Sequence, residues 1–245
     1  QYNPVPARWD RMDPLAEKYY SISPYAYCVN NPIKYIDPDG REIWIGVNGD
    51  PNAFQYTIGM QCTKDMDDFT KTLVTRLNEM AGNESGKKVL SAISSDKTKY
   101  YYAKSNSTVE GEQGNINSET NTISLNDSNN TLALAEEVFH NYQYVNGQGG
   151  ATNANEVDAK LFSAKMNLEV VEWDFYKAFE KISGDDPYYS AMTHLVSYGF
   201  NDDKYKTAVN MFFIQANDRY NNMFNYKYVT PPSSPLIKQF LPPVK

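Results

Sequence analysis

Histidine and cysteine are scarce in this chain, and their scarcity limits the chemistry that it can carry. The 245 residues include two histidines, His140 and His194, and two cysteines, Cys28 and Cys62. Two histidines cannot form a three-histidine zinc site within one polypeptide, which excludes that class of metallopeptidase. The two cysteines allow one disulfide bond or none, and no paired histidine marks either of them as a nucleophile.

Positive charge is also in short supply. The chain has 23 Lys and Arg residues against 30 Asp and Glu residues, a formal net charge of -7. Nucleic-acid affinity depends largely on Lys and Arg side chains that neutralise phosphates, so we expect no nucleic-acid partner. The sequence also lacks a G-x-S-x-G motif and a phosphate-binding glycine loop, which argues against serine-hydrolase and nucleotide chemistry.

Long apolar runs are missing as well. No stretch approaches the roughly 20 apolar residues that span a membrane, so we expect no membrane span. Polar and proline-rich residues follow Gln1, where a signal peptide would have a basic start and an apolar run. We expect this chain to be the C-terminal part of a longer protein whose export signal lies upstream.

The residues that are present indicate a folded protein of two units. Hydrophobic residues make up 41% of the chain and charged residues 22%, which is close to ordinary globular usage. The texture changes near residue 42, since the preceding segment is rich in proline-containing turn pairs and the following one is not. We therefore predict an irregular tail at residues 1–41 and a folded domain at residues 42–245.

The domain is predicted to be α+β, with a small sheet and a mostly helical C-terminal half. Strands are predicted at residues 42–47, 54–59, 99–104 and 120–125, the first two as a hairpin. Helices are predicted at residues 66–80, 131–145, 161–181 and 205–224, with a further helix starting at Glu156.

The helix at residues 131–145 carries the most informative motif. Glu136, His140 and Gln143 form a polar stripe beside an apolar face. The sequence EEVFH at residues 136–140 matches the zinc-peptidase helix H-E-x-x-H at Glu137 and His140, while Glu136 stands in the position of the first histidine.

The order of strand, motif helix and second helix resembles the zincin peptidases of the glutamate type. FHNYQ at residues 139–143 followed by Glu156 is also similar to metallopeptidase-like domains at the ends of large bacterial surface proteins. The resemblance implies Glu136, His140 and Glu156 as metal ligands and Glu137 as general base for peptide hydrolysis. It implies zinc as the cofactor, although two carboxylates and one histidine also suit iron or manganese.

Structural alternatives exist for each of these residues. Glu136 and His140 at i,i+4 also suit a weak pair on a solvated helix face. Asn153 and Glu156 have the spacing of a helix capping box. Asp158 fits a solvated first-turn acid, with a reserve role as ligand, and His194 fits a core or half-exposed histidine better than a distant ligand.

The first 40 residues carry the most specific resemblance. RMDPL at residues 11–15 and SPYAYCVNNPIKYIDPDG at residues 23–40 resemble the RHS repeat-associated core. In that family the motif ends a YD-repeat shell that encloses a variable C-terminal domain, often a toxin, and paired aspartates drive self-cleavage after D-P-x-G-L. The resemblance carries that role onto Asp13 and Asp37, but Arg41 takes the place of the leucine, and a plain tight turn also explains residues 37–40.

Three classes of function follow from these observations. The first is a metal-dependent peptidase-like effector, the second a catalytically inactive zincin-like binding module, and the third a toxin of unrelated chemistry. The RHS resemblance implies a location outside the cell or on its surface, as part of a larger bacterial protein. It also implies an upstream RHS shell, a cognate immunity protein and, for the first class, a protein or peptide substrate as partners.

Overall fold

The computed structural model describes residues 2–3, 8–9, 43–96, 98–105, 114–117, 119–170, 186–220, 227–232 and 235–242. The chain divides into two units, Gln1–Arg41 and Glu42–Lys245. In the first unit, β1 (Tyr2–Asn3) and β2 (Arg8–Trp9) pair antiparallel. Asp13, Cys28 and Asp37 lie outside the described residues, so the predictions made for them stay predictions.

The second unit is α+β, and the predicted class with its small sheet and mostly helical C-terminal half is confirmed. Its strands are β3 (Ile43–Ile45), β4 (Phe54–Tyr56), β5 (Tyr100–Lys104), β6 (Gly114–Asn117) and β7 (Thr122–Leu125). Its helices are α1 (Asp68–Gly82), α2 (Glu84–Ser94), α3 (Thr131–Val145), α4 (Asn153–Glu169), α5 (Pro187–Tyr198) and α6 (Asp202–Tyr220), followed by a 3-10 turn at Leu236–Gln239.

The five strands form one mixed sheet in the order β4-β3-β5-β7-β6. The three inner strands are parallel, and the two edge strands β4 and β6 run antiparallel to their neighbours. Parallel strands need apolar cover, and Tyr102, Ile123 and Leu125 are accordingly buried. The sheet thus supplies a rigid base, and the chain passes from β7 directly into α3.

Three elements of the second unit, β6, α2 and α5, lie where no strand or helix was predicted. Strand β6 lies between two predicted strands, and its glycine and asparagine residues have low strand propensity. Its antiparallel pairing with β7 overrides that preference. Helix α2 begins one residue after α1 ends, because Asn83 caps a new helix by accepting hydrogen bonds from the backbone N–H groups of Ser85 and Gly86.

The predicted and observed helical boundaries agree best for α3. Helix α3 has the predicted bounds, with Asn130 as N-cap, while α1 begins after its cap Asp67 and not at residue 66. Helix α4 ends at Glu169 with Val170 as its C-cap, and residues 171–181 of the helix predicted to residue 181 lie outside the described residues. None of the helices in the described part of the chain combines the length and apolar character needed to cross a lipid bilayer.

An aromatic cluster locks α3 onto α4. Phe139 of α3 stacks on Phe162 of α4 with ring centroids 4.7 Å apart. Phe240, which follows the 3-10 turn, meets both rings edge-on at 5.8 and 5.5 Å. All three rings are buried, so this cluster contributes both apolar burial and favourable ring geometry to the helix pair.

The junction of α1 and α2 gives a matched pair of glycine substitutions. A Cβ atom at Gly86 would lie 2.2 Å from the carbonyl oxygen of Met80, whereas a Cβ atom at Gly82 would meet nothing within 4 Å. We expect Gly86→Ala to lower the free energy of unfolding by about 1–3 kcal/mol, because backbone must move. Gly82→Ala should raise it by up to about 1 kcal/mol through helix propensity.

Urea unfolding followed by circular dichroism measures both changes. Equal and small effects of the two substitutions would contradict the close approach of Gly86 to Met80.

Candidate metal centre

The polar contacts between α3 and α4 form a regular antiparallel ladder. In order along α3, its rungs join Thr131 to Asn167, Leu132 to Ser163, Glu136 to Lys160, His140 to Glu156, and Gln143 to Asn155. As the residue number rises along α3, it falls along α4. This register places the polar stripe of α3 against the first turns of α4.

Local capping fixes where the ladder starts. Thr152 is the N-cap of α4, and its side chain accepts a hydrogen bond from the N–H of Asn155. The side-chain amide nitrogen of Asn155 also donates to the carbonyl oxygens of Gln148 and Gly150, 2.6 and 2.9 Å away. The short loop between the two helices is therefore tied to the first turn of α4, immediately before Glu156.

Three possible metal ligands converge in this ladder. One ligand atom each from Glu136, His140 and Glu156 lie within 4.8 Å of one another, and all three residues are partly buried. Nε2 of His140 is 3.5 Å from Oε1 of Glu156. Ligands about 2.1 Å from one tetrahedral cation lie about 3.4 Å apart, so a small inward shift would complete the set.

Gln143 sets the orientation of the His140 ring. The amide nitrogen of Gln143 donates to the carbonyl oxygen of Asn155 at 2.9 Å, which leaves its Oε1 as an acceptor. That oxygen lies 2.9 Å from Nδ1 of His140. Nδ1 therefore donates, and Nε2 faces Glu156, as expected of a metal-binding histidine whose second nitrogen is held by a hydrogen bond.

Lys160 forms an ion pair with Glu136, the residue that stands in the position of the motif's first histidine. Its Nζ lies 2.5 Å from Oε1 of Glu136, and both side chains are partly buried. The site therefore contains two ion pairs side by side, Lys160 with Glu136 and His140 with Glu156.

These charges shift the titration of the histidine and of its partner. Burial alone would lower the pKa of His140, but the carboxylates of Glu156, Glu137 and Glu136 raise it to about 10. Burial alone would raise the pKa of Glu156, but His140 and Lys160 lower it below its ordinary value. Without a metal, His140 is thus a protonated partner of Glu156.

Glu137 is the most deeply buried carboxyl group of the motif, at 8% exposure. Burial raises its pKa to about 8, with Glu136 and Glu156 adding to the effect and His140 opposing it. A carboxyl group with a pKa in this range can both accept and release a proton near neutral pH.

Asp158 is placed differently from the prediction that it is a solvated first-turn acid, and that prediction is wrong. It is 4% exposed and accepts a hydrogen bond of 2.6 Å from the hydroxyl group of Tyr205. Burial raises its pKa to about 7, while hydrogen bonds from Tyr205 and from the backbone N–H of Ile237 oppose the rise. Asp158 therefore ties α4 to α6 and to the C-terminal 3-10 turn, and lies outside the ligand group.

The capping alternative for Glu156 is also wrong. The N-cap of α4 is Thr152 and not Asn153, whose side chain accepts a hydrogen bond from the N–H of Val229. Glu156 is thus free of a capping role and turns to His140. The solvated-face alternative for Glu136 and His140 does not fit either, because their side chains are only 22% and 14% exposed.

The other two predicted residues lie elsewhere. His194 is half-buried on α5, with its ring 5.3 Å from the ring of Tyr198, and is not part of the ligand group. Cys62 is an exposed free thiol.

Two contributors to the site were not assigned a role from the sequence. Gln143 was seen only as part of the polar stripe, although its spacing of three residues from His140 was a usable signal. The role of Lys160 could not be predicted from local sequence, because its partner Glu136 is 24 residues away and the two meet only through the register of α3 against α4.

The group of Glu136, His140 and Glu156 could hold a metal ion. Comparison with family models, curated proteins and solved structures found no match to this chain. The chemistry of the site is therefore inferred from its own geometry.

The Asp158 to Tyr205 contact generates a pH-dependent prediction. The raised pKa means that folded protein retains the Asp158 proton from about pH 4 to about 7, so this group costs stability as pH rises through that window. Tyr205→Phe removes a donor that favours the carboxylate. We expect it to lower the free energy of unfolding by about 1.5–3 kcal/mol at pH 8 and by about 0.5–1.5 kcal/mol at pH 5.

Urea unfolding at the two pH values tests this expectation, with Tyr198→Phe, an exposed tyrosine, as control. A loss that is larger at pH 5 would show that Tyr205 does not favour the charged carboxylate.

Proposed function

We propose that residues 42–245 form a zincin-like domain that binds a divalent cation through Glu136, His140 and Glu156 and acts as a metal-dependent peptidase. The observation that carries the proposal is the convergence of these three donors from two helices within 4.8 Å. A strand, β7, leads into the motif helix α3, and the third donor comes from the next helix, α4, as in the glutamate-type zincins that the sequence resembles.

Zinc suits the donor set best in a peptidase, since one imidazole nitrogen and two carboxylates leave a position for water. Iron and manganese accept the same set. When bound, such a cation lowers the pKa of its water and polarises a carbonyl group.

The remaining residues have supporting roles in this proposal. Glu137 follows Glu136 on α3, in the position of the general-base glutamate of H-E-x-x-H. It accepts a proton in its ionised form, whose share grows as pH rises through its pKa of about 8. Gln143 keeps Nε2 of His140 directed at the metal position. The sheet and the aromatic cluster hold the two helices so that the donors stay in place.

The biological setting in this proposal comes from the N-terminal resemblance. The domain is the C-terminal effector or toxin-like part of an RHS-type bacterial protein that is secreted or displayed at the cell surface. Its partners are then the upstream RHS shell, an immunity protein and a protein or peptide substrate.

A second candidate is an inactive zincin-like domain kept for binding. One observation favours it: an ammonium group already occupies the carboxylate in the first ligand position, with Lys160 Nζ 2.5 Å from Glu136. Two ion pairs can hold α3 and α4 together without any metal.

Metal content tests the first candidate. We expect the purified domain, dialysed after zinc loading, to retain one zinc ion per chain, and His140→Ala and Glu156→Ala to lose it, because each removes one of three ligands. The measurement is elemental analysis of each protein by plasma mass spectrometry.

The control variant is His194→Ala, which removes the other histidine of the chain and should retain the ion. Retention of zinc by His140→Ala would place the metal elsewhere.

Glu137→Gln separates the two candidates. In an active peptidase it should leave the metal bound and lower kcat by about 10²- to 10⁴-fold, because the amide cannot accept a proton. The assay uses a library of internally quenched peptides with the zinc-loaded domain.

Absence of cleavage by the unmodified, zinc-loaded domain would favour the binding module. Equal cleavage by the unmodified domain and Glu137→Gln would contradict the role of Glu137.

A further inference from the structure

Lys160 and a metal ion would claim the same carboxylate. The Nζ atom of Lys160 lies 2.5 Å from Oε1 of Glu136, and a carboxylate oxygen of Glu136 belongs to the ligand group. An ammonium group and a divalent cation on one carboxylate repel each other strongly at this site, since the side chains of Lys160 and Glu136 are only partly exposed to water. The ion pair therefore opposes loading of the site.

A cavity beside Lys160 has room for its side chain in another rotamer. A cavity of about 220 Å³ lies beside the ion pair and is lined by Lys160 and Glu136 together with Leu132, Tyr188, Met192 and Phe212. The side chain of Lys160 is 34% exposed, and its Nζ already lies 5.9 Å from the ring centroid of Phe212, one of the residues that line the cavity. Moving away from Glu136 thus needs a change of rotamer and not the opening of a packed core.

The charges of the site also favour release of Lys160 from Glu136 when a cation binds. Without a metal, Lys160 neutralises Glu136 and His140 pairs with Glu156, so neither carboxylate is left alone in the partly buried site. A divalent cation that binds both carboxylates makes the Lys160 charge redundant.

We propose that Lys160 is an internal competitor for the metal, which occupies Glu136 in the empty site and swings into the adjoining cavity when a divalent cation binds. This inference rests on the proposed metal-binding function and adds the residue that sets the strength of binding. The site then loads only when the cation is abundant enough to displace the lysine.

The test compares neutral and charged substitutions at this position. Lys160→Met and Lys160→Gln remove the competing charge and should each bind Zn²⁺ at least about tenfold more tightly than the unmodified domain. Lys160→Arg keeps the charge and should bind as the unmodified domain does. Lys165→Met is the matched control, because it breaks the Lys165 to Glu169 pair on the same helix away from the ligands.

Affinity is measured by competition with a zinc-binding dye, and thermal unfolding is measured with and without Zn²⁺. Without metal, Lys160→Met should be less stable, because Glu136 loses its partner, and Zn²⁺ should raise its Tm more than that of the unmodified domain. A lysine with a merely structural role would lower stability without this larger gain from metal. Lys160→Gln, which keeps a polar group near Glu136, serves if Lys160→Met does not fold.

The outcomes separate this inference from the function on which it rests. Binding by the unmodified domain, with tighter binding by the neutral variants, supports both. Binding by the neutral variants alone supports the competitor role and contradicts zinc retention by the unmodified domain. Binding that is unchanged or weaker in the neutral variants overturns the competitor role and leaves the metal site standing. Absence of binding in every protein overturns both.

Discussion

The site depends on the antiparallel register of α3 against α4. The aromatic stack of Phe139 on Phe162 and the polar rungs from Thr131 to Gln143 fix this register from one end of α3 to the other. Because an α-helix advances 1.5 Å per residue, a slip of one residue would separate His140 from Glu156. The donors converge only because capping, loop and core packing agree on one alignment of the two helices.

The alignment places several charged groups in a partly buried space. Such a site is stable only when its charges are paired, and the structure pairs Lys160 with Glu136 and His140 with Glu156. The same carboxylates and imidazole are the donors that a divalent cation prefers. The two states of the proposed site, one closed by ion pairs and one by a metal, thus use the same side chains, and Lys160 decides between them.

Much of this arrangement could be predicted from local sequence, and the remainder could not. Helix α3 was predicted with its observed bounds because its apolar face is periodic. Glu136, His140 and Glu156 were predicted as a group from the resemblance of residues 136–140 and the downstream Glu156 to the glutamate-type zincins, and they lie close together in the structure. The burial of Asp158, the cap at Thr152 and the pairing of Lys160 all depend on contacts between helices, which no local pattern reveals. The missed strand β6 has the same cause, since pairing with β7 compensates for its low strand propensity.

The most direct test of the metal centre is a crystal structure of the zinc-loaded domain with anomalous data collected on both sides of the zinc absorption edge. We expect one strong anomalous peak about 2.0–2.2 Å from Nε2 of His140 and from a carboxylate oxygen each of Glu136 and Glu156. Electron density without such a peak, in which Lys160 remains paired with Glu136 and His140 with Glu156, would contradict metal binding. It would show that the two ion pairs join α3 and α4 without a metal.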